Sequence, residues 1–536
     1  MHMRRKLPLP VLLLTAVVGL YATSLHHPIF FDDIYLFNHN GLNKIFLQGF
    51  AFELRWLPYF LMAWIDLIFE DKIFAQRAIN VGLHLATGLV LYSLVKQVSH
   101  RAAPHRNNER AALAAALLFL LHPLTVYAVG YLAQRTILMA TLFGLLALNT
   151  YFDGLITRKK SYFLFSAFFY LLSAFSKEHA VLIPAAALAL TPLAAPIARE
   201  TWRQLTLPFA LYVPIVALVV LKSLGVLGQS YEPVTEQLIY RDPGESRSML
   251  WLLSAVTQAA LFFKYLLLVL FPNPGWMSID MRVPFAEHLW QPKYLLSVFA
   301  LAAYGLTALA WLHSGGRRGL VGYALLAPLL MYAVEFSTVR LQEPFVLYRT
   351  YLWLPLLFML IPALTHLMSG KMFWLTTLTC ALIFAVASSN RLSSLSSEFA
   401  VWDDAVRKLP DKSAMGSARA LSNRCNLNLR SGKLELAIAD CTRAIKASPK
   451  YRLAYQNRAF AYMKHGQMQA AIADAKTVAQ QYPQDPHSDT LLGAIYQGAG
   501  EFDKAQTYFE MGCKRQSIAA CLELGVMKAK SADTRY

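Results

Sequence analysis

The chain has 536 residues, of which 56% are hydrophobic and 15% are charged, and its formal net charge is +18. Charged residues make up about a quarter of a typical soluble domain, so this composition excludes an ordinary soluble enzyme. The positive charge does not require a nucleic-acid partner, because Lys and Arg of membrane proteins collect in cytoplasmic loops and beside anionic lipid. The sequence has no zinc-ligand spacing, no GxxxxGK[ST] and no GxGxxG motif, so it gives nucleotide chemistry no support.

The first apolar run, residues 7–25, follows a short basic segment and is long enough to span a bilayer. We predict an uncleaved first helix with its N-terminus in the cytoplasm. Residues 28–38 come next and contain two adjacent carboxylates, Asp32 and Asp33. Carboxylates at this position can cap the following helix, or one of them can serve as a general base. The position alone leaves both interpretations open.

Apolar segments alternate with polar and basic loops from there to about residue 390. Residues 54–69 carry Trp56 and Asp66 and are predicted to lie at the membrane interface. Residues 225–248 form a polar loop. Residues 249–271 are apolar but contain Lys264, and two topologies remain open there. If that segment dips in without crossing, the bundle has eleven crossings and the C-terminus is outside; if it crosses, there are twelve and the C-terminus is cytoplasmic.

The last part of the chain contains an internal repeat. Glycines recur at positions 432, 466 and 500, and alanines at 437, 471 and 505, both with a step of 34 residues. This period is typical of tetratricopeptide (TPR) repeats, in which the glycine lies at the turn between paired helices and the alanine allows close packing. We predict an all-α protein with three domain segments: a polytopic membrane bundle (1–390, about eleven crossings), a linker helix (391–415), and a TPR α-solenoid of three repeats and a capping helix (416–536).

Charged and polar residues collect at the outer ends of the predicted membrane helices. Each of them singly could be a membrane anchor or a helix-end charge, but nine on one side predict a polar pocket there. Cations in such a pocket would bind a phosphate, and a carboxylate could take a proton from an attacking hydroxyl. These groups suit displacement of a lipid phosphate from a sugar. The nine residues are Asp32, Asp33, Arg55, His122, Arg135, Lys177, Glu178, Arg340 and Arg349.

Several short motifs within these segments resemble a known family. They are FFDD (residues 30–33), LHP (121–123) followed by Gln134-Arg135, SKE (176–178), and Tyr348-Arg349 before Leu354-Pro355. Their order is similar to that of the TMTC-type O-mannosyltransferases, which are GT-C fold glycosyltransferases with C-terminal TPRs, and the resemblance extends to bacterial pilin-type protein O-glycosyltransferases. It covers most of the membrane part and the repeats.

The resemblance implies a polyprenyl-phosphate sugar donor, inversion at the anomeric carbon, and a base in the first external loop, at Asp32 or Asp33. We expect donor-phosphate contacts from cations and further pocket contacts from three other residues. No metal and no cofactor are expected beyond an undecaprenyl-phosphate type donor. The phosphate-binding residues would be Arg349, Lys177, Arg135 and Arg340, and the pocket residues His122, Glu178 and Arg55.

The chain differs from the animal proteins because it has only three repeats, and its compact, basic character looks bacterial. We therefore expect a multi-pass protein of a bacterial inner membrane whose TPRs bind a protein acceptor, pilin-like or otherwise exported, or a partner. Transfer of a whole lipid-linked oligosaccharide would use nearly the same residues. A non-catalytic scaffold whose repeats recruit a partner is a further alternative, although it does not need these charges on one face.

Four of the five cysteines lie in the repeat region. Seven residues separate Cys513 from Cys521, and this junction resembles cysteine-rich Sel1-like repeats, in which the same spacing bridges adjacent helices. Cys425 and Cys441 fall on the two helices of the first repeat, where a disulfide or two small buried thiols are both possible. Disulfides need an oxidising compartment. They would place the repeats in the periplasm, on the same side as Asp32, and would require an odd number of crossings.

Overall fold

The structure, a computed structural model, describes residues 9–38, 41–105, 107–196, 198–228, 247–341, 343–410 and 416–533. Helices account for the regular structure of these residues, apart from one isolated bridge between Met281 and Phe345. The predicted all-α class, a membrane helix bundle followed by helical repeats, is confirmed. Most of the predicted polar loop at 225–248 lies outside the described residues.

Seventeen helices, joined in places by short 3-10 turns, make up the described part of the chain up to residue 393. They are α1 (Leu9–Tyr21), α2 (Asp32–Asn38), α3 (Gly41–Gln48), α4 (Trp56–Ile68), α5 (Lys72–Ala102), α6 (Asn108–Leu121), α7 (Val126–Val129), α8 (Arg135–Thr157), α9 (Lys160–Ser176), α10 (Ile183–Ala194), α11 (Arg199–Ser223), α12 (Arg247–Leu270), α13 (Pro292–His313), α14 (Gly316–Tyr332), α15 (Leu354–Leu357), α16 (Ile361–Leu364) and α17 (Gly370–Ser393).

Length and composition identify seven helices in the described ranges that could cross a membrane, or eight if the bent pair Asn108–Leu121 and Pro123–Val129 is one span. Further apolar helices are shorter than 18 residues, so these criteria do not fix the number of crossings at eleven. The shorter ones are Pro10–His26, Trp56–Ile68, Glu178–Ala194 and Leu354–Leu364.

The bundle has two ends that contacts distinguish. At one end, Arg101 Nε donates to the carbonyl oxygen of Ala194 at 2.9 Å, and the rings of His105 and His366 are 4.2 Å apart. The segments that carry Asp32 and Lys177 lie at the other end, which we call the pocket end. Arg101 and His105 thus lie at the end of the bundle opposite the predicted site.

Helix α12 begins and finishes at the pocket end. Near its start, the Trp251 indole donates to Phe336 O at 2.8 Å, and Ser254 Oγ accepts from Arg340 N at 3.1 Å. Near its other end, Val269 O lies 3.1 Å from Nε2 of His122, which follows α6 at its pocket-end terminus. This helix has the length to cross a membrane, but its contacts agree with the topology in which it does not.

Helix α17 leads the chain back to the pocket end. Its residue Ser388 donates to Leu121 O at 2.7 Å, and Arg391 Nη1 donates to Met277 O at 2.6 Å. The C-terminal region, which we call the tail, then begins with a short helix and continues as antiparallel helix pairs. Its helices are α18 (Glu398–Arg407), α19 (Ser417–Arg430), α20 (Leu434–Ala447), α21 (Arg452–Lys464), α22 (Met468–Gln481), α23 (Pro486–Gly498), α24 (Phe502–Lys514) and α25 (Ile518–Asp533).

The repeat glycines and alanines have the structural roles that the 34-residue period predicts. Gly432, Gly466 and Gly500 adopt φ values of 74°, 82° and 76° at the turns within the three helix pairs, a backbone region that favours glycine. The alanines five residues after each glycine are fully buried, where no larger side chain would fit between paired helices. The tail therefore contains three TPR-like units and a closing helix.

The first repeat shares a hydrophobic core with the membrane part. Val401, Trp402 and Leu421 belong to the same buried cluster as Tyr21 and Tyr351, whereas later repeats have a core of their own. Such burial holds the start of the tail against the bundle. The predicted boundary at residue 390 falls inside α17, and residues 411–415 of the predicted linker lie outside the described residues.

Both predicted cysteine pairs lie at disulfide distance. The sulfurs of Cys425 and Cys441 are 2.02 Å apart, and those of Cys513 and Cys521 are 1.95 Å apart. Cys380 in α17 is not paired. The two bridges would each tie together the helices of one hairpin in the tail.

We expect the four tail cysteines to react with a membrane-impermeant thiol reagent on intact spheroplasts only after a reductant is added. The tail starts at the same end of the bundle as Asp32, which we expect on the periplasmic side. Because disulfides persist in the periplasm, the reagent should find these thiols only after reduction. Labelling is read by mass spectrometry on a Cys380→Ser background, which removes the remaining thiol. Labelling that needs permeabilisation of the membrane would place the tail in the cytoplasm instead.

Candidate active site

A polar cavity of about 300 Å³ opens at the pocket end. This volume is at the lower limit of the range typical of small-molecule sites. Segments from α2, the turns before α4, α8 and α10, the loop before α15, and the tail all contribute to it. Its charged lining residues are Asp32, Arg55, Lys177, Arg340, Glu343, Arg349 and Arg419, and aromatic rings are supplied by Phe31, Tyr59, Tyr131 and Tyr348.

The two adjacent carboxylates point in different directions. Asp32 is exposed and lines the cavity, whereas Asp33 is fully buried. The backbone N–H groups of Ala133 and Leu132 donate to the two oxygens of Asp33 at 2.7 and 3.2 Å. Burial raises the pKa of Asp33 to about 7, against the opposing effects of those hydrogen bonds and of the Arg77 charge. Asp33 therefore fastens one loop to another, and Asp32 is the accessible carboxylate.

Tyr131 fixes the orientation of Asp32. Its hydroxyl donates to Asp32 Oδ2 at 2.7 Å and lies 3.2 Å from the Asp32 backbone N–H, which donates to it. Burial and the negative charge of Asp32 raise the pKa of Tyr131 well above its usual range, so the phenol keeps the proton that it donates. A carboxylate held in this way is positioned and still reachable from the cavity.

Glu178 is the partner of Arg55. The Arg55 guanidinium bonds both carboxylate oxygens, with Nε 2.8 Å from Oε2. Burial opposes ionisation of Glu178, but the charge and hydrogen bonds of Arg55 outweigh it and hold its pKa well below the usual range. His179 Nδ1 lies 3.2 Å from Oε1 of the same carboxylate. Arg55 thus faces the cavity, and Glu178 supports it from behind.

Lys177 is a buried cation that faces the cavity with only neutral partners. Its side chain is 4% exposed, and Nζ donates to Gln134 Oε1 at 3.0 Å and lies over the Tyr348 ring at 5.3 Å. No carboxylate of the described residues comes within ion-pair distance of it. Burial, with help from the Arg55 charge, lowers the pKa of Lys177 to about 7. A buried charge of this kind is costly without a counter-ion, so the site favours an anionic ligand.

Arg349 and Arg340 share a buried carboxylate. Arg349 Nη1 lies 2.9 Å from Glu335 Oε2, and Arg340 Nε lies 3.5 Å from the same oxygen. Both guanidinium groups are largely buried and line the cavity. The carboxylate holds the two cations in place, and their planar groups suit phosphate recognition.

Two residues predicted for the pocket lie elsewhere. Arg135 is fully buried and points towards α5, where Nε donates to Asn80 Oδ1 and Nη2 to Gln76 O, both at 2.7 Å. His122 packs against Phe384 and contacts the backbone of α12. Their place in the chain put them at the correct end of the bundle, but the direction of each side chain is set by helices distant in sequence. We therefore leave Arg135 and His122 out of the candidate site.

The structure adds residues that the sequence did not single out. Tyr131 lies in a loop without charged neighbours, Glu343 lies between Arg340 and Arg349, and Glu335 lies in the 3-10 turn that follows the apolar helix α14. A charge at the end of an apolar span is a signal that could have found Glu335. Arg419 comes from the first repeat, and the 34-residue period of the repeats gives no indication of a role outside them.

Arg77 supports the site from a distance. It lies in α5 and donates to His27 O and Gly130 O, so it joins the loops that carry Asp32 and Tyr131.

No protein-family model matches the chain. Among solved structures, the chain is similar to the crystal structure of ArnT from Cupriavidus metallidurans bound to undecaprenyl phosphate, with 14% sequence identity and a TM-score of 0.39 over 89% of this chain and 80% of that one. It is also similar to the crystal structure of the APC/C hetero-tetramer Cut9-Hcn1, with 13% identity and a TM-score of 0.22 over 96% and 98% of the two chains. Similarities this distant do not bear on the activity.

Proposed function

We propose that the protein is an integral-membrane, inverting glycosyltransferase that moves a sugar from a polyprenyl-phosphate donor to an acceptor hydroxyl. The observation that carries this proposal is that one cavity holds an exposed carboxylate, Asp32, and a buried cation, Lys177, that pairs with no carboxylate of the described residues. The cavity lies at one end of an apolar helix bundle, where a lipid carrier can present its phosphate. The motif resemblance to GT-C glycosyltransferases supports the same conclusion.

In this mechanism Asp32 accepts the proton of the acceptor hydroxyl as its oxygen attacks the anomeric carbon. The bond between that carbon and the phosphate oxygen breaks, and its electron pair leaves with the polyprenyl phosphate. Lys177 and Arg349 stabilise the charge that develops on the leaving phosphate. A single displacement inverts the anomeric carbon because the nucleophile and the leaving group occupy opposite faces.

The repeats bind the acceptor or a partner on the same side of the membrane as Asp32. Support comes from the first repeat, which packs against the pocket end and supplies Arg419 to the cavity. In a bacterial inner membrane this side is the periplasm, where disulfides form and where lipid-linked sugars replace nucleotide donors. An exported protein is the acceptor that such an arrangement suits.

The test is a transfer assay with the full-length protein in lipid nanodiscs. Synthetic polyprenyl-phosphate monosaccharides are offered with Ser- and Thr-containing peptides, and release of polyprenyl phosphate is followed by mass spectrometry. We expect release with at least one sugar and saturable binding of polyprenyl phosphate itself. Activity confined to diphosphate-linked oligosaccharides would favour the ligase alternative. Absence of both binding and release would leave the scaffold alternative and overturn the proposal.

Donor binding is expected to weaken above pH 7. Burial lowers the pKa of Lys177 to about 7, so in the empty site this lysine loses its positive charge as the pH rises through that value. An anionic donor favours the charged lysine, and binding then requires uptake of a proton, so affinity should fall by up to about tenfold per pH unit between pH 7 and 9. A phosphodiester donor has no titration of its own there, and the dissociation constant is measured at each pH.

The matched variants for this measurement are Lys177→Arg and Lys177→Met. Arg stays charged, so its dissociation constant should not change with pH across this range. Met removes the buried charge, so it should weaken binding at pH 6.5 while keeping or raising the melting temperature. A pH dependence that persists in Lys177→Arg would show that another group is responsible.

A further inference from the structure

The residue before the proposed base has an unusual backbone conformation. Phe31 has φ = 54°, in the left-handed region that residues with a side chain seldom adopt, and it directly precedes Asp32. Such a conformation persists only where surrounding contacts hold it. The direction of the Asp32 side chain thus depends on what holds Phe31.

Two of the groups that contact the Phe31 ring come from the tail. The Trp402 ring in α18 lies 4.6 Å from the Phe31 ring, centroid to centroid, and the Arg419 guanidinium in α19 lies 5.8 Å from it. Tyr131, which bonds the Asp32 carboxylate, lies 5.9 Å away on the membrane part. The Phe31 ring is therefore held between the tail and the loop that orients the carboxylate.

Helix α18 is anchored firmly enough to act as a support. Trp402 is largely buried, and Arg391 at the end of α17 pairs with Asp404 of α18 at 3.0 Å. Helix α19 is tied to α18 through Arg424 and Asp403, whose charged groups are 2.9 Å apart.

Helix α19 is also tied to the membrane part. Arg419 pairs with Asp280 at 3.2 Å and with Glu343 at 2.8 Å. At its start, a Cβ on Gly416 would lie 2.3 Å from the guanidinium of Arg282, so the two segments approach as closely as a glycine allows. These contacts thus hold the start of the tail in place beside the cavity.

We propose that the tail is part of the active site, with Trp402 as a positioning residue that holds Phe31 and so directs Asp32. The inference rests on the proposed function and extends it: the tail does more than bind an acceptor, because turnover requires its docked first helices. Trp402 does not line the cavity, so it acts through Phe31 and not on a substrate. The cations of the donor site are held by Glu335, Glu178 and neutral partners of the membrane part, so they do not depend on this contact.

Replacement of Trp402 by Ala is therefore expected to lower turnover without changing donor binding. The apparent kcat should fall about 10²-fold, as for small misplacements of a catalytic group. The dissociation constant for polyprenyl phosphate should stay within about twofold of wild type, since the donor cations are unchanged. Trp402→Phe keeps a ring beside Phe31 and should restore most of the rate.

A matched control removes an aromatic ring from the tail at a distance from Phe31. Tyr508 stacks on Tyr496 in the third repeat, with centroids 5.5 Å apart, so Tyr508→Ala disturbs the tail but not the contact. We expect normal turnover from it. If Trp402→Ala does not fold, Trp402→Leu keeps an apolar side chain at this buried position but removes the ring beside Phe31, and it should give the same loss of kcat with unchanged donor binding.

The outcomes distinguish this inference from the proposed function. Wild-type protein without transfer activity would overturn both. Active wild type with Trp402→Ala and Trp402→Leu equally active would overturn only the positioning role. A loss of donor binding that parallels the loss of rate would also overturn it, because general damage to the pocket would then explain the result.

Discussion

Replacement of Asp32 by Asn is expected to lower the transfer rate by about 10²- to 10⁴-fold, the usual contribution of a general base. Asn has nearly the same shape, and its carbonyl oxygen can still accept the hydrogen bond from Tyr131. It cannot take a proton from the acceptor hydroxyl. Affinity for polyprenyl phosphate should be almost unchanged, because the cations around the cavity remain. Single-turnover rates and donor binding, measured on the same preparation, check both statements.

The matched control is the neighbouring carboxylate. Asp33 accepts hydrogen bonds from two backbone N–H groups in a buried position, and Asn in its place would turn an N–H donor towards one of them. We expect Asp33→Asn to lower the free energy of unfolding by about 1–3 kcal/mol, the cost of a buried group left unsatisfied. A near-normal rate from Asp32→Asn, with Asp33→Asn inactive but well folded, would move the base to Asp33.

These two neighbours illustrate what the sequence could and could not determine. Order along the chain was enough to place Asp32, Asp33 and Lys177 at one end of the bundle, because each follows an apolar run of known direction. Order along the chain could not show which of Asp32 and Asp33 faces the cavity, since the directions of the two side chains depend on the left-handed backbone conformation at Phe31. The same limit explains why Arg135 was predicted for the phosphate site but bonds α5 instead.

Helix α12 shows the limit for topology. Its hydropathy is that of a crossing helix, and composition alone would count it as one. Only the contacts of its two ends, with the loop at 336–340 and with His122, indicate that it starts and finishes on the same side. The repeats behave differently, because a 34-residue period is a local pattern and each unit repeats the same contacts.

The last large effect that we expect is at Arg349. Replacement by Lys keeps the positive charge but removes the planar group that can donate two parallel hydrogen bonds to a phosphate. Loss of one charged hydrogen bond costs about 1.5–3 kcal/mol, which corresponds to roughly 10- to 150-fold weaker binding. The charge that remains near Glu335 should keep the protein folded. Donor titration on purified Arg349→Lys protein measures the effect on both the dissociation constant and the rate.

Arg135→Lys is the matched control for this change. Arg135 is also buried, but it bonds Asn80 and Gln76 and does not line the cavity, so its replacement should lower the melting temperature and leave the donor dissociation constant unchanged. The two Arg→Lys variants should therefore differ in what they lose: Arg349→Lys should lose donor affinity, and Arg135→Lys should lose thermal stability. Equal loss of stability in both, without a change in donor binding, would mean that Arg349 only holds Glu335 and that the phosphate lies elsewhere in the cavity.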